Sequence, residues 1–495
     1  MSSRQRAHRV TSRFVVVLIL LSLTMAFIAI SPKADRGSDT GVIKQGENAP
    51  AVPTAPAPTV GAPSKRWGAQ LAGDPAEGYT LLFGGSSGHI IQNGVNYGDT
   101  WEYRSGIWTD ISPSECSNVS CPTSRSNFAM SYYDHSDQQY VVLFGGQYGG
   151  LGHAFLGDTW LFNGSWHNIT PNPLVPYRNS PPSLNDASMA WDPVDGYSVL
   201  FGGCSLPGCS TSSPTPSAIS CQTWGFEGIS LQGQARWVNL TSGFHPPHLY
   251  GEGLAFDSFD KYLVLFGGGS PGVAQPIYQN QTWTYTAKTG WLNRTVAAPE
   301  ASNTPPSRAL IGGQLVYDPS LKSVVLFGGQ HDWASPTSGD KSANATLNDT
   351  WTFQAGSWSN ITDELVDSPP ARFGGAIAFD PSDHVVLLFG GLSGTMVHAP
   401  LLNDTWWMKG KPPAWTNHTA AYAVALTESG LVSGTNWSIG IADQPRSSDA
   451  SSISFGLANG TDGYAVMASV YVAKSPPNSP LTVVGAAALV TGRLS

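Results

Sequence analysis

The sequence predicts an all-β protein: a six-bladed β-propeller followed by a small Ig-like β-sandwich, with an N-terminal transmembrane helix ahead of both. Three observations predict it. An apolar string ending in Phe-Gly-Gly recurs six times, a Thr-Trp string follows each copy, and one long uncharged apolar run stands near the N-terminus.

The recurring strings are YTLLFGG, YVVLFGG, YSVLFGG, YLVLFGG, SVVLFGG and VVLLFGG, with Phe at 83, 144, 201, 266, 327 and 389. They close on Gly84-Gly85, Gly145-Gly146, Gly202-Gly203, Gly267-Gly268, Gly328-Gly329 and Gly390-Gly391. Next come Trp101, Trp160, Trp224, Trp283, Trp351 and Trp406, and then a second set, Trp108, Trp166, Trp237, Trp291, Trp358 and Trp415, mostly in W-x-N-x-T. Ahead of each Phe-Gly-Gly lies another strand-like stretch, such as MAWDPVDG or IAFDPSDH. Four short strands per unit, at a period of about 61 residues, describe propeller blades.

Each element has a physical task. The glycine pairs permit backbone conformations that other residues avoid at the exit from a buried strand. The tryptophans fill the spaces between blades, each burying about 150–250 Å². Because the blades begin and end in phase, the ring is expected to close by packing, without a strand borrowed from the other terminus.

These features resemble the kelch repeat: a Gly-Gly doublet after strand two, an aromatic in strand three and a Trp opening strand four. The resemblance covers Trp67 to about Thr419, in units lengthened by their loops. Blade three has Gln222 and blade four Gln281 where the others carry Asp99, Asp158, Asp349 and Asp404. Recurring in four blades, those aspartates are expected to brace their loops by hydrogen-bonding the backbone rather than to act as catalytic carboxylates. Kelch propellers include copper radical oxidases resembling galactose oxidase and sugar-isomerising enzymes. The oxidase chemistry needs a cross-linked Tyr-Cys pair and two histidines. Cys204 with Tyr97 or Tyr148 offers the residue types, but nothing in the sequence fixes such a pairing.

Phe14 to Ile30 is an uncharged run of 17 residues, at the short end of a bilayer span. Arg4, Arg6, Arg9 and Arg13 precede it and should stay cytoplasmic, so the bulk of the chain is expected outside the cell, on a single-pass signal anchor within residues 1–31. A cleaved signal peptide is the alternative, with Ala29-Ile30-Ser31 as its site. Residues 32–66, rich in Pro, Ala, Gly, Ser and Thr, are expected to form a disordered stalk. The propeller takes 67–419 and the sandwich 420–495. The latter resembles a small β-sandwich module of archaeal cell-surface proteins in its E-S-G-L-x-S-G-T-x-W-S string at Glu428–Ser438 and its N-G-T at Asn459–Thr461. In such proteins the module is a structural or display unit.

Thirteen Asn-X-Ser/Thr sequons agree with export, although several come with the repeat itself, in its N-I-T and N-D-T strings. An exported chain can form disulfides. Cys116 and Cys121 flank a short loop and are expected to pair. Cys204, Cys209 and Cys221 cluster, so one bridge there leaves one thiol free.

The net charge is −9, and the four N-terminal arginines leave the remainder more acidic still, which excludes nucleic acid as a partner. No nucleophile string or phosphate loop is present. In a four-stranded antiparallel blade, the loop after strand two and the link after strand four emerge at one end. Those are the long connections here, so any ligand site is expected on that face. Its candidate residues are His89, Tyr97, Tyr148, His153, His331, Asp332, Trp333 and His398. The histidines lack the close spacing of a ligand motif, so neither metal nor other cofactor is expected. Exposed aromatics bordered by Asn, Ser and Thr suit sugars or peptides. The sequence therefore reads as a monomeric, membrane-anchored propeller that binds a glycan or an envelope protein. An extracellular carbohydrate-active enzyme and a structural envelope component are the alternatives.

Overall fold

The computed structural model describes residues 59–418, except 89–93, 115, 117–119, 150–153, 172–178, 207–217, 273–275, 296–303, 332–344 and 395–399. Beyond 418 it describes the backbone of short strands between 422 and 492. The expected membrane segment lies outside the described residues, as do His89, His153, Asp332, Trp333, His398 and Cys209. Among the described residues no helix is long and apolar enough to cross a membrane.

Six antiparallel sheets, five of four strands and the first with a short fifth strand added at its edge, follow one another along the chain and form a six-bladed propeller. Blade 1 comprises Gln70–Asp74, Tyr79–Phe83, Thr100–Arg104 and Ile107–Asp110. Blade 2 comprises Ala129–His135, Gln138–Phe144, Thr159–Phe162 and Trp166–Asn168. The first strands of blades 3 to 6 are Asn185–Asp192, Gly253–Asp257, Leu315–Asp318 and Ala376–Asp380. Their last strands are Ala235–Asn239, Gly290–Asn293, Ser357–Asn360 and Ala414–Asn417. A two-residue strand, Thr59–Val60, pairs with the outer strand of blade 1, so the end of the Pro-rich segment expected as stalk lies along that blade. Beyond the propeller, Tyr422–Thr427 pairs with Ser452–Leu457 and Trp437–Ile441 with Gln444–Ser448.

Local chemistry sets the strand ends. In blades 1, 3, 4 and 5 strand 1 stops where an aspartate accepts the backbone N–H groups two and three residues on, as Asp192 does from Val194 and Asp195. Strand 4 stops where the Asn of W-x-N-x-T accepts the N–H of its Thr, as Asn168 does from Thr170 at 3.0 Å. The hydroxyl of that Thr then accepts the N–H of Thr159 on strand 3. The N-x-T strings are thus turn chemistry as well as sequons.

Three interactions repeat at every joint between blades. The Phe of each Phe-Gly-Gly lies against the second Trp of the following blade, with ring centroids 5.0–5.2 Å apart from Phe83–Trp166 round to Phe389–Trp108. The same indole donates its N–H to a buried Thr hydroxyl of the preceding blade, as Trp166 does to Thr100 at 2.9 Å. The second glycine of each pair donates its N–H to the carbonyl of the residue that leads into the next blade; Gly85 donates to Arg125 at 2.9 Å. All three recur between blades 6 and 1, through Phe389–Trp108, Trp108–Thr405 and Gly391–Arg66. The ring closes by packing and hydrogen bonds, and each blade draws its four strands from one continuous stretch of chain.

Candidate functional site

The elaborated end of the ring is built on an arginine–aspartate frame. Arg66, Arg125, Arg308 and Arg372 are fully buried at the entries to blades 1, 2, 5 and 6. Each forks onto the aspartate of its own blade, Asp99, Asp158, Asp349 or Asp404, with both nitrogens at 2.6–2.7 Å. Each also donates to the carbonyl of the first glycine, such as Gly84 at 2.8 Å. The second oxygen of each aspartate accepts the indole N–H of the strand-3 tryptophan, Trp101, Trp160, Trp351 or Trp406. Burial alone would raise the Asp158 carboxyl, yet Arg125 and Trp160 hold it below the usual carboxylate range. The aspartates therefore brace a side-chain network of guanidinium and indole, beside the backbone contact that Asp158 makes with its own amide.

Blades 3 and 4 change both partners at once. The arginine position is Leu184 and Leu249, and the aspartate position is Gln222 and Gln281. Each glutamine still accepts the indole N–H, of Trp224 at 3.1 Å and Trp283 at 2.9 Å. The physical reason is plain. A buried carboxylate without its guanidinium is costly, whereas a neutral amide keeps the indole bond without the charge.

Two of the aromatic candidates on this face are described. Tyr97 lies under the Arg66 guanidinium, 4.2 Å from ring centroid to cation, so it packs on the frame. Tyr148 stands free at 49% exposure. His331 is half-buried and its Nδ1 lies 2.7 Å from the Ser307 carbonyl oxygen. The loops that carry the two tyrosines meet next to them, where Asn96 Nδ2 donates to the Gln147 carbonyl at 3.0 Å. Cys116 and Cys121 form a disulfide; Cys204 is also disulfide-bonded, and Cys221 is free.

Apolar exposure on this face follows the blade order. Val95, Tyr148, Leu206 and Ile277 lie in the connection after strand 2 of blades 1, 2, 3 and 4 and are 49–69% exposed. Phe244 and Val366, in links between blades, add to the same end.

Down the ring axis runs a cavity of about 530 Å³, lined by the first strands of all six blades and reaching the prolines of the tight turns, Pro75, Pro193, Pro319 and Pro381. Its walls are apolar, with Leu71, Met130, Met189, Leu254, Leu315 and Ile377 at one level. Nearer the tight turns, one position is aromatic in five blades: Tyr132, Trp191, Phe256, Tyr317 and Phe379. Blade 1 has Gly73 there, because a Cβ would meet the Phe379 carbonyl oxygen at 2.2 Å.

Toward the elaborated end the channel narrows to a cavity of about 10 Å³ lined by Asn127, Asp186 and Glu252 among others. Both acids are fully buried. Burial pushes Asp186 up to about 7. Burial, with the Asp186 charge adding to it, pushes Glu252 up to about 8. Sequence reasoning missed this pair, since each acid occurs in one blade and sits in an otherwise apolar strand entry. Among the described residues no three of His, Cys, Asp and Glu come together as a metal-binding group.

No family model and no curated protein matches the chain. Among solved structures, YjhT aligns over 72% of this chain and 98% of its own, at 12% identity and a TM-score of 0.46. A fungal alcohol oxidase of the AA5 family, solved in complex with copper, aligns over 81% of this chain and 82% of its own, at 12% identity and a TM-score of 0.39. Both likenesses concern the fold alone.

Proposed function

We propose that this chain is a binding protein of the kelch type that meets a protein of the cell envelope through the loop-rich end of its propeller. The observation that carries the reading is the set Val95, Tyr148, Leu206 and Ile277, one exposed apolar side chain in the connection after strand 2 of each of four successive blades. Exposed apolar side chains gathered at one end of a rigid scaffold suit an interaction surface. Three of the four are aliphatic, which suits a protein surface better than a sugar ring, whose usual platform is aromatic. On this reading Phe14–Ile30 anchors the chain, the Pro-rich segment lifts the ring from the membrane and the C-terminal module is a display unit.

The test is capture of envelope components by the full chain in detergent, with the envelope untreated or enzymatically deglycosylated. The reading expects a protein captured equally in both conditions, and capture reduced at least tenfold by V95S/L206S/I277S. Capture that vanishes with the glycans would instead establish a glycan-binding role centred on Tyr148. An absence of capture in both conditions would overturn binding through this face.

A further inference from the structure

We propose that the narrow inner end of the channel is a binding site for a single hard divalent cation of the size of Ca²⁺, held by Asp186, Glu252 and Asn127. The argument begins with unmet hydrogen-bonding capacity. Asp186 Oδ1, both Glu252 carboxylate oxygens and Asn127 Oδ1 are buried and make no hydrogen bond of acceptable geometry, although the backbone N–H groups of Glu252 and Ser188 lie near the Glu252 carboxylate. Asn127, Asp186 and Glu252 are 4%, 6% and 0% exposed, and all three line one cavity. Buried polar atoms are nearly always partnered, so unpaired oxygens on three residues that line one small space call for an occupant.

The chemistry of the orphans selects that occupant. Every one is an oxygen acceptor, and two of the three side chains are carboxylates. The groups acting on the two acids include no basic side chain. The arginines that neutralise this level elsewhere in the ring are Leu184 and Leu249 in the two blades that carry the acids. A divalent cation supplies the missing charge and accepts oxygen ligands without preference for direction. The cavity of about 10 Å³ holds one particle of that size. Mg²⁺ gives up its water shell reluctantly, so a space this small favours Ca²⁺.

The backbone positions agree. The loop position of Asn127 and Asp186 is Gly68, Gly251 and Gly374 in blades 1, 4 and 6, all left-handed. Asn127 and Asp186 adopt the same conformation, each with φ 57°, at a cost of about 1 kcal/mol that glycine avoids. Gly202 leaves room for the other acid, since a Cβ there would lie 2.5 Å from Glu252 Oε1.

The experiment is calorimetric titration and thermal unfolding of the full chain in detergent, stripped with a chelator and then titrated with CaCl₂ or MgCl₂ under conditions where both acids ionise. The proposal expects saturable CaCl₂ binding at one site, a rising unfolding midpoint and weaker binding of MgCl₂. It expects D186N/E252Q, isosteric with the protonated acids, to fold and to lose CaCl₂ affinity at least 100-fold. N127L should weaken binding by a smaller factor. No saturable signal from the wild-type chain up to about 10 mM CaCl₂ would overturn the proposal. So would an unchanged signal in the folded double variant, which would place the ion on surface carboxylates.

Discussion

Trp108, on the outer strand of the first blade, donates its indole N–H to the hydroxyl of Thr405 in the last blade at 3.0 Å. This bond joins residues almost 300 positions apart and is one of six of the same kind round the ring. Thr405→Val should leave the indole N–H buried without an acceptor and cost about 1–3 kcal/mol. Urea unfolding followed by tryptophan fluorescence measures it. Thr159→Val removes the equivalent partner of Trp237 inside the ring. If the closing joint is the first to open, Thr405→Val lowers the midpoint at least as far as Thr159→Val.

The two kinds of blade define a thermodynamic cycle. Arg308→Leu alone strands the Asp349 carboxylate and should destabilise the chain by roughly 3–5 kcal/mol. Adding Asp349→Gln converts blade 5 to the pairing of blades 3 and 4 and should restore most of that loss. The interaction free energy from chemical denaturation of the four proteins checks it. Purely additive effects would mean that the pair is not coupled.

Gly391 has φ 107°, donates to the Arg66 carbonyl at 2.8 Å and offers a Cβ no room, with the Phe373 carbonyl oxygen 2.9 Å away. Gly356 has φ 79° and nothing within 4 Å of a Cβ. Gly356→Ala should therefore cost only the left-handed penalty of about 1–2 kcal/mol. Gly391→Ala should cost clearly more, because the clash is added. Thermal unfolding of the two variants side by side separates the terms.

His418 stacks on Trp407 with ring centroids 3.6 Å apart, and burial lowers its pKa to about 4. The unfolded chain, with an ordinary value near 6.5, binds the proton first. The sign follows: this contribution is complete above about pH 6.5 and is lost as pH falls toward 4, so stability rises with pH across that window. His418→Phe should flatten that part of the stability–pH profile while keeping the ring contact.

Much of the ring was legible before any coordinates. The Phe and the two Trp of each unit lie in strands and not in the variable loops, so their recurrence survives loop insertion. They are the residues that meet across the blade joints. The arginine frame was harder to read because Arg66, Arg125, Arg308 and Arg372 precede their aspartates by 33, 33, 41 and 32 positions, a spacing that changes with loop length. Yet the exchange of Leu for Arg and Gln for Asp in the same two blades was present in the letters. Asp186 and Glu252 carried no such signal. A lone acid in a strand entry looks like a surface residue until the fold buries it.

The ring of near-identical blades has a built-in index mark. Six equal blades would offer an approaching partner six equivalent rotational settings, and nothing would choose among them. Leu184, Leu249, Gln222 and Gln281 remove the buried ion pairs from one arc of the ring, and Asp186 and Glu252 place two buried carboxyl groups at the channel end of the same arc. The molecule consequently has a fixed bearing about its own axis. That bearing lies inside the ring, in its core rather than on its surface.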